Sequence, residues 1–166
     1  MKRKSSVVIR YAELKDLDFC MKSDFQHVDA HRGRMFMENY LRRRIEANDV
    51  IVAEVDGRTV GYLRIEYLGL IAPYLGIIGV DEEYQRKGIG TAMIAFLEEH
   101  LVSWKERKIF KLEGQAVLHS SAEATATESQ AWHRAVGFRE CGIIAGCNEG
   151  GIGEIFFRKK LNARTT

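Results

Sequence analysis

The chain has 166 residues, 46% hydrophobic and 29% charged, the proportions of one globular domain rather than of a disordered or two-domain protein. Lysine and arginine number 25 against 23 aspartates and glutamates, so the net charge of +2 gives no global case for binding nucleic acid or a membrane surface. Cys20, Cys141 and Cys147 are scattered without a CxxC pair, which supports neither a disulfide framework nor a zinc knuckle and fits reduced thiols in the cytoplasm.

The basic opening MKRKSS leads into no long apolar run, so it does not read as a signal peptide. The longest uncharged stretch, Tyr67 to Val80, is too short and too glycine-rich to span a bilayer. A soluble, cytoplasmic chain is expected.

In chain order, Val7 to Arg10 reads as a strand. Asp16 precedes Leu17, Cys20 and Met21 as a helix-start signal. Residues 24–33 read as a loop or broken helix. Met37, Leu41 and Ile45 predict a helix over about 34–47, with Arg42, Arg43 and Arg44 on its solvated side. Val50 to Val55, then Asp56-Gly57, then Val60 to Leu68 predict a hairpin, because type I′ turns need positive φ. On the second of these strands Tyr62, Arg64 and Glu66 share one face. A further strand runs from Leu75 to Val80. Ile89, Met93, Phe96, Leu97, Leu101 and Trp104 form a helical stripe.

Beyond it the register is open, with strand character at both Ile109 to Leu112 and Ala116 to Leu118. Residues 119–129 read as a polar loop, and Gln130 to Ala135 as a short helix stopped by Gly137. Gly142 to Gly146 and Glu154 to Lys160 read as a hairpin around Asn148 to Gly151. The order β-α-α-β-β-β-α-β-α-β-β predicts an α/β fold with a mixed, mostly antiparallel sheet flanked by helices. No repeat, linker or composition shift divides it.

Chemistry concentrates between Ile77 and Ala92. An apolar strand ends at Val80, a loop carries Gln85, Arg86 and Lys87, and Gly88 and Gly90 open the amphipathic helix. Helix N-termini present unpaired N–H groups and partial positive charge, and glycines let such a backbone close on an anion, so the segment reads as a phosphate cradle. It is not a Walker A loop, since no Lys-Ser/Thr follows the glycines, nor a full GxGxxG fingerprint.

Gln85-Arg86-Lys87-Gly88-Ile89-Gly90, after a strand ending in Val80, resembles the pyrophosphate loop of the GNAT superfamily of N-acetyltransferases. The flanking IIGVDEEY and TAMIAFLEEHL are similar to that family, as are VVIRYAELKDL, IVAEVDGRTVGYLRI and AWHRAVGFRECG. The resemblance covers about residues 7–160 and implies one acyl-CoA-binding domain over 1–166, with acetyl-CoA as co-substrate and no metal.

It implies that the backbone of Gln85, Arg86, Lys87, Gly88, Ile89, Gly90 and Thr91 binds the CoA pyrophosphate. Ile78, Gly79 and Val80 would pair with the pantetheine arm and offer an N–H to the thioester carbonyl, where it favours the oxyanion. The late helix departs from the family. His133 stands where a tyrosine usually acts as acid toward the thiolate, and Thr127 and Gln130 replace the usual asparagine and alanine. Acid, base and packing roles stay open for His133.

An acceptor ammonium must lose a proton before it attacks. Glu66 is the first candidate base, with Glu113 or a water relay as alternatives. If 116–121 is the fifth strand, His119, Ser120 and Ser121 face the site instead. His27 and His31 lack a third ligand at a metal-site spacing. With Asp24 and Asp29 they are candidates to line the acceptor cleft, and Asp24, Asp29, Glu66 and Glu149 would draw a cationic acceptor. Ser120 and Ser121 lack the Gly-x-Ser-x-Gly elbow of a hydrolase. Trp132 reads as packing in the core or beside CoA.

The expected activity is direct acetyl transfer from acetyl-CoA to a primary amine of a small molecule or peptide. The alternative is a non-catalytic acyl-CoA sensor. An RNA-binding module rests only on local basic runs without interleaved aromatics. No nucleic-acid or membrane partner is expected. The resemblance admits a homodimer through the C-terminal strands.

Overall fold

The structure, a computed structural model, describes residues 6–24, 33–69, 72–106 and 117–161, with the backbone alone for 103–106. The strands are β1 (Val7–Tyr11), β2 (Val50–Val55), β3 (Arg58–Leu68), β4 (Ala72–Val80), β5 (Val117–Glu123), β6 (Arg139–Ile144) and β7 (Glu154–Lys160). The helices are α1 (Leu17–Asp24), α2 (Arg34–Glu46), α3 (Ile89–Glu106) and α4 (Thr127–Ala135). The element order agrees with the sequence expectation. The fold is mixed α/β, with a seven-stranded, mostly antiparallel sheet in the order β1-β2-β3-β4-β5-β7-β6.

The chain forms two compact units, residues 1–65 with 77–97, and residues 66–76 with 98–166. It passes from one to the other within β3, β4 and α3.

In the first unit, β1 pairs with β2 and β2 with β3, all antiparallel. The β2–β3 turn has Asp56 at φ 50° and Gly57 at φ 82°, the left-handed pair that a type I′ turn demands. The core joins Leu17, Cys20 and Met21 of α1, Met37, Leu41 and Ile45 of α2, and Val50, Val52 and Tyr62 of the sheet. Each aliphatic side chain so buried contributes about 1.5–3 kcal/mol.

Asp16 does not cap α1 as its position suggested. It is 3% exposed in a one-turn 3-10 segment, Leu14–Asp16, accepting bonds from Arg10, from the Glu13 backbone N–H and from Thr59. Gly61 is a close-approach site, where an added Cβ would stand 3.1 Å from both the Ala53 Cβ and the Met93 Sδ. That proximity seats the first turns of α3 on β3.

In the second unit, β5 pairs in parallel with β4 at Tyr74↔His119 and Leu75↔Ser120, and antiparallel with β7. β6 pairs with β7 and is exposed along its length. The expected polar loop over 119–129 is a correction: residues 119–123 continue β5, and 127–129 open α4. Burial along β5 alternates, and serines occupy both faces because each finds a hydrogen-bond partner there. The expected strand at 109–112, Glu113, His27, His31 and Asp29 lie outside the described residues.

Candidate active site

In the first unit, β4 runs out at Val80 into a loop whose backbone is held from several sides. Asp81 N–H donates to the Val60 carbonyl at 2.8 Å. The Gln85 amide donates to the Val80 carbonyl at 2.9 Å, strapping the loop to the strand end. Lys87 donates to the Glu83 carbonyl at 2.6 Å and lies 5.1 Å from the centre of the Tyr84 ring. Arg86 takes φ 61° and Gly88 φ 80°. A non-glycine residue in the left-handed region costs about 1–2 kcal/mol, so Arg86 holds a strained conformation where the chain turns into α3.

The first bond of that helix runs from Ala92 N–H to the Gly88 carbonyl at 3.0 Å. The N–H groups of Ile89, Gly90 and Thr91 therefore have no acceptor within the helix. Arg86, Lys87 and Gly88 are exposed, as is Thr91. Ile78, Gly79 and Val80 are half-buried, and a Cβ built on Gly79 meets nothing within 4 Å. The segment therefore has what an anion cradle needs: free backbone donors at a helix start, two cationic side chains and an open approach.

In the second unit, β5 separates two polar clusters. On one face lies His133, 3% exposed and stacked on Phe157 at 4.7 Å between ring centres. Its Nδ1 donates to the Ser129 carbonyl at 2.7 Å, and its Nε2 lies 2.9 Å from the Ser120 Oγ. A carbonyl only accepts, so Nδ1 carries the proton and the neutral ring accepts from Ser120 at Nε2. The Ser120 Oγ also stands 3.2 Å from the Leu75 carbonyl. If the ring were protonated, Nε2 would donate to Ser120 and the hydroxyl would turn to Leu75. Either way the network closes within the protein. Burial holds the His133 pKa below the ordinary histidine value, against the opposing influence of Ser129 and Glu154. Gln130 donates to the Glu123 and Ala124 carbonyls, and Trp132 packs edge-on against His133 at 5.0 Å.

The opposite face carries Tyr74 of β4, His119 and Ser121 of β5, and Glu154 of β7. The Tyr74 hydroxyl lies 2.5 Å from the Ser121 Oγ, and Ser121 donates to Glu154. Asn148 donates to the other oxygen of Glu154 at 2.7 Å. Glu66 is half-buried, and its charge reaches Tyr74. Thus His119 and Ser121 share one face while Ser120 lies on the other.

Sequence reasoning missed Tyr74 and Glu154. Tyr74 follows Pro73 and fell outside the strand expected from Leu75. Glu154 figured only as the first residue of the last predicted strand. The alternation of β5, once seen, would have pointed to both.

Asp24 is fully buried in the first unit, accepting from the Tyr62 hydroxyl at 2.9 Å and from Arg64. Arg64 meets its charge, so Asp24 is not a bare anion for a cationic acceptor. Glu149 is exposed in the turn before β7. Among the described residues, no three His, Cys, Asp or Glu side chains form a metal-holding group, and no helix is long and apolar enough to cross a membrane.

No curated protein matches the sequence. Solved structures do match. A GNAT-family acetyltransferase from Bacillus cereus superposes with a TM-score of 0.70 at 19% identity, over 95% of this chain and 99% of its own. The ribosomal-protein-alanine N-acetyltransferase of Brucella melitensis gives 0.70 at 26% identity, over 93% and 99%. Salmonella typhimurium yncA, solved with its cofactor acetyl-CoA, gives 0.68 at 19%, over 98% of each chain. The family model described as an acetyltransferase (GNAT) domain matches residues 46–140, more than half of the chain and the whole of the β4–α3 loop. This chain belongs to the GNAT acetyltransferase family.

Proposed function

We propose that the protein is an N-acetyltransferase that moves the acetyl group of acetyl-CoA directly to a primary amine. The observation that carries this reading is the loop from Val80 to Thr91, with its left-handed Arg86 and Gly88 and the unpaired N–H groups of Ile89, Gly90 and Thr91. In this reading the backbone from Gln85 to Thr91 binds the CoA pyrophosphate, the Gln85 N–H already being held by the Glu82 carbonyl at 3.2 Å, and Arg86 and Lys87 add charge. Ile78, Gly79 and Val80 take the pantetheine arm. The membership of the loop in the matched family region supports the same assignment.

Two proton movements belong to the reaction. An acceptor ammonium, with a lysine-like pKa of about 10.4, must first become an amine. Glu66 is the proposed base for that step. His133, engaged at both nitrogens, holds α4 against β5 in this reading. No cysteine is needed. Cys20 is buried, with its thiol pushed up to about 12 by burial and by Asp16 and Asp24, which makes it a poor nucleophile.

The 26% identity to a ribosomal-protein-alanine N-acetyltransferase makes a peptide with N-terminal alanine the first acceptor to try. The test is calorimetric titration with acetyl-CoA, followed by thiol release in the presence of alanyl peptides, spermidine and an aminoglycoside. Binding with amine-dependent CoA release is the expected result. Binding without release from any amine would favour an acyl-CoA sensor, the second reading, which the closed His133 network also favours. Absence of binding would overturn both.

A further inference from the structure

Glycine is a weak residue within a strand, because it costs backbone entropy and brings no side chain to pack. Gly61 of β3 and Gly79 of β4 both lie in strands of the first unit. At Gly61 an added Cβ would stand 3.1 Å from the Ala53 Cβ and from the Met93 Sδ, so packing excludes a side chain there. Gly79 has no such reason. It is not among the glycines at positive φ, and a Cβ built on it meets no described atom within 4 Å. Four ångströms is ordinary van der Waals contact, so the notch holds at least one methyl-sized group.

Backbone pairing with a ligand does not call for glycine either. A chain that hydrogen-bonds to a strand edge lies in the plane of the sheet, whereas side chains stand out of that plane. A pantetheine arm along Ile78 to Val80 would therefore tolerate a side chain at Gly79. What the missing side chain frees is the space above the strand, which in the acetyltransferase reading is the space beside the thioester.

That space has an apolar wall. Ile77, two residues back on the same side of β4, packs against the cluster formed by α1, α2 and the sheet. Arg64, which shares its side of β3 with Tyr62 of that cluster, is already bound to Asp24 and to the Tyr62 hydroxyl at 3.1 Å. The wall suits a hydrocarbon group, and its cation is committed to Asp24 rather than open to a carboxylate on the acyl chain.

We propose that the notch at Gly79 admits acyl groups larger than acetyl, so that the protein transfers short uncharged acyl chains, propionyl before others, with Gly79 as the specificity-determining residue. This deepens the acetyltransferase reading and rests on it. The chemistry of transfer is unchanged. The amine nitrogen forms the C–N bond, the C–S bond breaks with its electron pair going to sulfur, and the proton lost by the nitrogen ends on the thiolate, giving amide and free CoA.

The experiment titrates the parent, Gly79→Ala and Gly79→Val with acetyl-CoA, propionyl-CoA and succinyl-CoA by calorimetry, and follows CoA release with whichever amine the parent accepts. The parent should bind propionyl-CoA within about threefold of acetyl-CoA, and succinyl-CoA at least about tenfold more weakly. A methylene that an apolar pocket cannot hold is rejected by about 10–200-fold. Gly79→Ala should therefore lower the affinity for propionyl-CoA relative to acetyl-CoA by about tenfold, and Gly79→Val by more, with the ratio of kcat/KM values moving in the same sense. The urea midpoint of Gly79→Ala should be equal to the parent's or higher, since alanine at an ordinary φ with open space restricts only the unfolded chain. That separates a filled notch from a damaged fold. A parent that rejects propionyl-CoA by more than about tenfold would overturn the proposal and leave the acetyltransferase reading standing. So would a propionyl-to-acetyl ratio that neither substitution moves. Succinyl-CoA bound as well as propionyl-CoA would overturn the restriction to uncharged chains. A parent that does not bind acetyl-CoA would bring down the acetyltransferase reading, and the proposal with it.

Discussion

The Nε2 of His133 is hydrogen-bonded to the Ser120 Oγ at 2.9 Å, on the face of β5 opposite to the Ser121–Glu154 bond. Two adjacent serines thus serve two separate polar clusters. His133 is buried, stacked on Phe157 and satisfied at both nitrogens. That arrangement ties α4 to the sheet.

His133→Phe should therefore act on stability. Losing the bonds to Ser120 and Ser129 costs about 1–3 kcal/mol, readable as a lower urea midpoint. The burial-depressed pKa adds a pH signature. A histidine whose folded pKa lies below its unfolded value of about 6.5 stabilises the fold fully above that pH and progressively less as pH falls through it. The gap between parent and variant should narrow below pH 6.5. Acetyl-CoA affinity should be unchanged. A loss of kcat with no loss of stability would instead make His133 a proton donor.

Gly88 and Gly57 both sit at positive φ with space for a Cβ, so alanine meets only backbone strain at either site. Each substitution should cost about 1–2 kcal/mol of stability. Only Gly88→Ala should also weaken acetyl-CoA binding, by about tenfold or more, because it shifts the donors at the start of α3. Equal affinities in the two variants would argue against the loop as the pyrophosphate site.

Glu66→Gln tests the first proton transfer. At pH 7 kcat/KM for an amine should fall about 100-fold or more, the usual contribution of a positioned base. The deficit should shrink as pH rises toward the acceptor pKa of about 10, where the amine is already neutral. A deficit constant with pH would assign Glu66 to binding rather than proton transfer.

Asp16 is held in the folded state by the bonds from Arg10, Glu13 and Thr59, which outweigh the burial that would raise its pKa, so its pKa lies below the ordinary aspartate range. A depressed carboxylate stabilises the fold above its unfolded pKa of about 3.9 and loses that contribution as pH falls through the folded value. Asp16→Asn should cost about 1.5–3 kcal/mol near neutral pH, as expected for a bond to a charged partner. Chemical denaturation at pH 7 and at pH 3 should show the gap closing toward acid.

Where local chemistry is strong, structure was legible in the chain. The Asp56-Gly57 turn, the four-residue spacing of Met37, Leu41 and Ile45, and the stripe from Ile89 to Leu101 each fold as their pattern demands. The turn from Gln85 into α3 was marked in the chain by Gly88 and Gly90, and Gly88 does take positive φ there. Residues 119–129 were not. Serine, alanine and threonine there make no clear hydrophobic period, and they became strand and helix because of what lay opposite them.

The sequence by itself determined the element order and the family resemblance, and it pointed to the β4–α3 loop as the candidate anion cradle, because these depend on neighbours in the chain. Which side of β5 each serine occupies, that His133 is closed off at both nitrogens, and that Tyr74 connects through Ser121 to Glu154 were decided only by tertiary structure. Those contacts join β4, β5, β7 and α4, residues up to 80 positions apart between Tyr74 and Glu154. Hydrogen-bond partners at that separation are set by strand register, which no local pattern encodes.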